Sequence, residues 1–229
     1  MKKLLSVLSV FALAAIAAGT ASAGSISTPT GLNPGEQFRI VFLSSTSTSA
    51  SSGDLSIYDS IVSADATGTT YGGTSPIWKA IVSNSTTKAR DHIGLQNSST
   101  IPLFTVDGTK VSAGNLWSGS LLNPINITIG GSVVSTKVWT GTNIDGGKQT
   151  YMGMFDIPIG SNSPSYGESN QANNLWTYVG FDAPSVLYRV YGISDVLTVP
   201  ASVPEPSTAM LVGLGGLAAL GYSFKRKRA

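Results

Sequence analysis

The hydrophobic and polar positions of the 229-residue chain follow three different patterns. Long uncharged runs lie near both ends, from Leu4 to Ala18 and from Ser207 to Phe224. The part between them alternates short apolar runs with clusters of Gly, Ser, Asn and Asp, which is typical of strands joined by turns. The pattern therefore predicts one central domain, flanked by two segments that do not belong to its core.

The N-terminal run has the three parts of a secretory signal peptide. Lys2 and Lys3 precede the apolar stretch, and small residues, Ala21 and Ala23, stand three positions and one position before the predicted cut. Signal peptidase requires such small residues at its cleavage site. Residues 1–23 are therefore predicted to be a signal peptide that signal peptidase removes.

The C-terminal run is long enough to cross a membrane. At about 1.5 Å per residue its 18 residues span roughly 27 Å, close to the thickness of the hydrocarbon layer. A basic tail, 225–229, follows it, and positive charge favours the cytoplasmic side. The sequence predicts a transmembrane helix over 207–224, with the central domain outside the inner membrane. The cations that would stop export are Lys225, Arg226, Lys227 and Arg228.

The central part of the chain is predicted to fold as a single α+β domain over 37–199, after a linker over 24–36. Leu55, Tyr58, Ile61 and Val62 follow a helical spacing behind the capping residue Asp54, which predicts a helix over 54–65. Short runs rich in β-branched and aromatic residues predict antiparallel strands joined by long loops. The predicted strands are 38–43, 77–82, 102–105, 125–129, 137–140, 175–179 and 188–193, and a second short helix is predicted near 88–92.

Charge and cysteine content exclude several function classes. Residues 24–203 carry eight basic and eleven acidic side chains, a net charge of −3. Nucleic-acid binding needs a clustered cationic face, which this part of the chain lacks. There is no cysteine, so thiol catalysis, disulfides and thiolate metal sites are excluded.

A short motif lies between the domain and the C-terminal helix. Val203-Pro204-Glu205-Pro206 falls in the Pro-rich segment 200–206, directly before the apolar run and the basic tail. This three-part arrangement resembles the PEP-CTERM sorting signal. The resemblance implies that the chain is a substrate of exosortase, a membrane protease of Gram-negative bacteria that also make extracellular polysaccharide. Val203, Pro204, Glu205 and Pro206 would then be the site on which exosortase acts.

The central domain also resembles the C-type-lectin-like or endostatin-like domains of bacterial surface proteins. The resemblance rests on the order of Trp78-Lys79-Ala80, Asp107-Gly108, Val138-Trp139-Thr140-Gly141, Asp145-Gly146, Leu175-Trp176 and Leu187-Tyr188-Arg189-Val190-Tyr191. It implies a lectin-like α+β fold with paired terminal strands, one or two helices, and long loops that carry ligand sites. The chain lacks the disulfides and the Glu-Pro-Asn sugar-binding triplet of animal C-type lectins.

Candidate ligand residues lie in the loops. Asp145, Asp156 and Glu168 fall in one oxygen-rich stretch, and calcium takes six to eight oxygen ligands from such loops. Trp117 lies in a Gly/Ser-flanked segment, so it is the tryptophan most expected to be exposed and to stack on a sugar. The core is nevertheless the better interpretation for all four tryptophans. No cofactor is predicted apart from this candidate calcium.

No catalytic residue is predicted. The single histidine, His92, has no marked nucleophile such as a Gly-x-Ser-x-Gly elbow near it. The sequence favours a non-enzymatic structural or adhesive protein of the cell envelope or extracellular matrix. A lectin-like module that binds exopolysaccharide, with or without calcium, is the alternative. A secreted hydrolase using acids such as Asp145, Asp156 and Glu168 is a second one.

Overall fold

A computed structural model of the protein describes residues 24–152 and 155–201. The predicted signal peptide with Ala21 and Ala23 lies outside these residues, as do the Val203–Pro206 motif, the helix 207–224 and the cations Lys225–Arg228. In the described ranges, no helix has both the length and the apolar character needed to cross a membrane.

The described residues form eleven short strands, two α-helices and one 3-10 helix. In chain order these are β1 (Gln37–Leu43), α1 (Leu55–Asp65), β2 (Trp78–Ala80), α2 (Ala89–His92), β3 (Leu103–Phe104), β4 (Lys110–Ser112), β5 (Lys137–Trp139), β6 (Thr150–Tyr151), β7 (Phe155–Asp156), β8 (Ser165–Glu168), the 3-10 helix Asn174–Trp176, β9 (Gly180–Phe181), β10 (Tyr191–Ser194) and β11 (Leu197–Thr198). This confirms the α+β class, while the lectin-like fold stays a prediction.

The main sheet is built around β1. Its strand order is β2-β10-β1-β3-β4, and β11 also pairs with β1. The pairs of β1 with β10 and β11 are antiparallel, whereas β1 and β3 run parallel, with α1, β2 and α2 between them in the chain. A parallel pair needs such a long crossover connection. The sheet is therefore mixed, where the sequence had predicted a domain dominated by short antiparallel strands.

Both faces of β1 are buried, and each faces its own hydrophobic cluster. Phe38, Ile40 and Phe42 pack with α1 and β2 in one cluster. Val41 and Leu43, which point to the opposite face, pack with Trp117, Trp176 and residues around α2 in the other. Burial on both faces explains why this strand is a continuous apolar run rather than an alternating one.

Helix α1 follows its sequence pattern closely. The carboxylate of Asp54 accepts a hydrogen bond from the backbone N–H of Ser56 at 3.0 Å, as an N-cap residue does. Leu55, Tyr58 and Val62 are buried, which confirms three of the four predicted core positions. The fourth, Ile61, is partly buried and packs against the same cluster.

Three sequence predictions are corrected. The predicted strand 175–179 is instead a 3-10 helix, Asn174–Trp176, because the Asn173 side chain accepts the Leu175 N–H and caps a helical turn. In the predicted strand 125–129, Ile127 and Thr128 form only isolated bridges. Part of the predicted linker 24–36 belongs to the domain, because Ile26 is buried and its N–H bonds Thr70.

Candidate functional site on the three-stranded sheet

A second sheet, with strand order β5-β8-β9, carries a group of interacting polar and aromatic side chains that is partly open to solvent. In its antiparallel register Lys137 opposes Glu168 and Trp139 opposes Tyr166, so these side chains lie on one face. Tyr188, from the segment before β10, packs on Trp139. We call Lys137, Tyr166, Asp182 and Tyr188 the tyrosine face.

Lys137 lies at the centre of the tyrosine face. Its Nζ donates a hydrogen bond to Tyr188 Oη at 3.1 Å and lies 4.2 Å from the ring centroid of Tyr166. Tyr188 Oη in turn donates to Asp182 Oδ2 at 2.7 Å, and Lys137 Nζ lies 3.7 Å from the same oxygen. The ammonium of Lys137, the phenol of Tyr188 and the carboxylate of Asp182 therefore form one connected network. The ammonium also lies over the aromatic rings of Tyr166 and Tyr188.

The pKa values of the tyrosine face favour its charged ammonium and carboxylate. Hydrogen bonding to Tyr188, and then to Tyr166, raises the pKa of Lys137. The hydrogen bond from Tyr188 is the largest cause that lowers the pKa of Asp182. Burial, assisted by the hydrogen bond to Asp182, raises the pKa of Tyr188, so its phenol stays neutral. At neutral pH Lys137 is thus a cation, Asp182 an anion and the phenol of Tyr188 neutral.

The two tyrosine rings pack on the buried side chain of Trp139. The ring centroid of Trp139 lies 4.6 Å from that of Tyr188 and 6.2 Å from that of Tyr166. Its indole N–H donates to the carbonyls of Thr48 at 3.0 Å and Val186 at 3.3 Å, which anchors it to two loops. Both tyrosines are only partly buried, so their rings pack on Trp139 and still reach solvent.

A second aromatic pair lies beside the tyrosine face, at the edge strand β9. The rings of Tyr151 and Phe181 meet edge to face at 5.2 Å, and Phe181 is 45% exposed. Phe181 opposes Ser165 in the sheet, so it points away from Tyr166. Next to Tyr151, Met152 is 76% exposed and adopts a left-handed φ of 52°, which is rare for a residue other than glycine.

The three acids predicted as calcium ligands each have a separate partner. Asp145 Oδ1 accepts the Gly147 N–H at 2.8 Å within a turn. Asp156 pairs with Lys148 Nζ at 2.8 Å, and Glu168 accepts a hydrogen bond from Gln171. Within residues 24–152 and 155–201, no three His, Asp or Glu side chains are grouped in a way that suits a metal ion. The structure therefore adds no support for calcium, which stays a prediction.

The expectation that Trp117 is exposed is wrong. Its ring stacks on Trp176 at 5.9 Å, and its indole N–H donates to the Leu95 carbonyl at 2.6 Å. Gly146 closes over the ring, because a Cβ added there would lie only 2.7 Å from the indole. Trp117 is 5% exposed and the other three tryptophans are equally or more deeply buried, which confirms the core interpretation for all four.

His92, the only histidine, joins three elements of the domain. Its Nε2 lies 2.9 Å from Asp59 Oδ1, which also accepts the Ala80 N–H at 2.7 Å. This arrangement links α1, β2 and α2, which is a structural role for the His92–Asp59 pair.

Sequence reasoning missed the tyrosine face. Tyr188 had entered only the predicted strand 188–193 and the lectin-like pattern, and Tyr166 lies in a stretch that had no predicted strand. The one available signal was the alternation Lys137-Val138-Trp139, which places a cation and an indole on the same face of a strand. The contact with Tyr188, which is 51 residues away from Lys137 in the chain, depends on the tertiary fold.

The comparisons with known proteins bear on the C-terminal segment. The PEP-CTERM protein-sorting motif matches residues 202–227, while no curated protein matches the chain. The match shows that the chain carries a PEP-CTERM sorting signal, which marks exported proteins. Such signals are recognised by exosortase, so exosortase is a partner of this chain and directs it to the cell surface or the extracellular space.

Proposed function

We propose that this PEP-CTERM protein is a non-enzymatic adhesive component of the cell surface or matrix, and that the tyrosine face binds the sugar rings of matrix polysaccharide. The observation that carries the proposal is the partly exposed pair of Tyr166 and Tyr188, which pack on Trp139 and lie around Lys137. Sorting by exosortase supports the proposal, because it directs the chain to the cell surface or the extracellular space, where a matrix polysaccharide is accessible.

The chemistry of the tyrosine face suits a saccharide. Aromatic rings pack on the apolar C–H faces of sugar rings, and an ammonium and a carboxylate supply a donor and an acceptor for hydroxyl groups. The side chains of Lys137 and Asp182 are 40% and 37% exposed, so a ligand can reach both. Because Trp139 already fixes the rings, binding orders few side chains and therefore loses little entropy.

This mode of binding uses direct contacts, so it does not require calcium. The calcium-assisted alternative would instead place the ligand near Asp145, Asp156 and Glu168, which lie in separate local interactions. The hydrolase alternative relies on the same three acids. If a hydrolytic activity were found and replacing these acids left it unchanged, they would be removed as its catalytic residues.

A glycan array with the purified protein tests the proposal. We expect polysaccharide binding that persists in a chelator, and we expect Tyr166→Ala to weaken it by about three- to tenfold, in line with the worth of aromatic contacts. Tyr151→Ala, which removes an exposed ring outside the tyrosine face, is the matched control. Absence of binding, or equal losses in both variants, would contradict the proposal; binding abolished by chelator would favour calcium.

A second experiment tests the sorting step separately. In a host that has exosortase, we expect a tagged chain to lose C-terminal mass and to reach the surface. In a strain without exosortase, the chain should keep its C-terminal mass and stay in the membrane fraction. Equal masses in the two strains would show that Val203–Pro206 is not processed.

A further inference from the structure

A small cavity lies apart from the tyrosine face, beside strands β2 and β10 and the end of α2. It has a volume of about 220 Å³, and isoleucine side chains form its apolar walls. Three charged residues, Arg39, Lys79 and Asp195, also line it. The volume is below the roughly 300 to 1,000 Å³ of common small-molecule sites, so the cavity fits one end group of a ligand rather than a whole ligand.

Arg39 is a buried cation without a carboxylate partner. It is 8% exposed, and among the described residues no acid lies within 4 Å of its guanidinium. Its Nη1 and Nη2 donate to the carbonyls of Ile93 and Gly94 at 2.8 and 3.4 Å, while its buried Nε has no hydrogen-bond partner in this part of the structure. Burial lowers the pKa of Arg39, and attraction to Asp195 opposes this shift. An unpaired buried charge is costly, so a bound anion would stabilise it.

Together, the three charged residues give the lining of the cavity a net positive charge. Lys79 Nζ donates to the His92 carbonyl at 2.7 Å and, like Arg39, has no acid within 4 Å in the described ranges. Asp195 Oδ1 accepts the Ile77 N–H at 3.1 Å, which holds its carboxylate at the rim. Two cations against one anion leave a net charge of +1 around the cavity.

We propose that this cavity binds a carboxylate group, held by Arg39 and Lys79, with the body of the ligand against Ile77, Ile93 and Ile193. Arginine and lysine are the natural donors for a carboxylate, and the isoleucines suit the apolar side of a ring or a short chain. Asp195 stays free on one oxygen to accept a hydroxyl from the ligand. The carboxylate belongs either to a uronic-acid sugar or to a small organic acid. This site is independent of the tyrosine face and of the proposed adhesive function.

NMR titration of the purified full-length protein tests the site. The probes are glucuronate, acetate and neutral glucose, and the signals are the Arg39 Nε–Hε resonance and the Ile93 and Gly94 amides. Shifts with both acids support a general carboxylate site, and shifts with glucuronate alone identify a sugar acid as the source. Shifts with glucose as large as those with glucuronate, or no shift with either acid, would overturn the proposal.

Charge variants sharpen the test without disturbing the buried arginine. Lys79→Gln should weaken glucuronate binding about threefold, and Asp195→Asn should strengthen it by a similar factor, since exposed charge pairs are worth this much. Lys88→Gln, at an exposed lysine outside the cavity, is the matched control and should leave the affinity unchanged. Equal effects of Lys79→Gln and Lys88→Gln would mean that only the net charge of the protein matters.

Discussion

Substitution of Trp117 by phenylalanine keeps an aromatic ring in the core but removes the indole N–H and part of the ring. The N–H donates to the Leu95 carbonyl at 2.6 Å, in a region where both groups are buried. The smaller ring also leaves space beside Trp176 and under Gly146, which pack on either side of the indole. The change therefore separates a core role for Trp117 from the ligand role that its sequence context had suggested.

The expected loss of stability has two parts. A buried carbonyl that loses its donor costs about 1 to 3 kcal/mol. The lost part of the ring, equivalent to one or two buried CH₂ groups, costs roughly 1 kcal/mol more. Trp117→Phe should therefore lower the free energy of unfolding by about 2 to 4 kcal/mol. For a domain of this size, this corresponds to a fall in Tm of roughly 4 to 16 °C.

Urea unfolding followed by far-UV circular dichroism measures this loss without relying on tryptophan fluorescence. Leu122→Ala is the control, because Leu122 is 61% exposed and its loss should change stability by less than about 0.5 kcal/mol. Glycan binding by Trp117→Phe should match that of the wild type under conditions where both are folded. A variant as stable as the wild type that had lost glycan binding would refute the core assignment of Trp117.

Three further predictions concern close packing and pH. Gly167→Ala should lower the free energy of unfolding by about 1 to 3 kcal/mol, as measured by thermal unfolding, because its Cβ would lie 2.0 Å from the Trp176 carbonyl oxygen. Gly53→Ala is the control and should lower it less, because its Cβ would meet nothing within 4 Å. Burial raises the pKa of Tyr58 to about 12, so its contribution to stability is complete below the ordinary phenol pKa of about 10 and is lost as the pH rises toward 12. Tyr58→Phe should therefore lose less stability than the wild type between pH 9 and 11.5, as measured by urea unfolding; an identical loss would contradict the assignment. The hydrogen bond from Tyr188 lowers the pKa of Asp182, so the contribution of Asp182 to stability is present above the ordinary carboxyl pKa of about 4 and is lost as the pH falls below it. In urea unfolding, Asp182→Asn should therefore lose less stability than the wild type on acidification.

Local patterns predicted those elements whose stability is itself local. Helix α1 begins and ends within a residue of its prediction, because the Asp54 cap and the spacing of Leu55, Tyr58 and Val62 act within a few turns. Strand β1 was predicted correctly because a continuous apolar run of this length indicates a buried strand even when its pairing partners are not known. The segment 175–179 was misread because its apolar residues fit either a strand or a helical turn, and the Asn173 cap decided between them.

The sequence by itself determined the sorting signal of this protein, because an exosortase recognises a short linear segment. It also determined the α+β class, through hydrophobic runs and turn residues that act over a few positions. Only the tertiary structure decided which residues meet. Lys137, Tyr166, Asp182 and Tyr188 come together because β5 pairs with β8 and Trp139 seats both tyrosine rings. Trp117 is a core residue because Trp176 and Gly146, distant in the chain, close over it, and a pattern of neighbouring residues carries no information about such contacts.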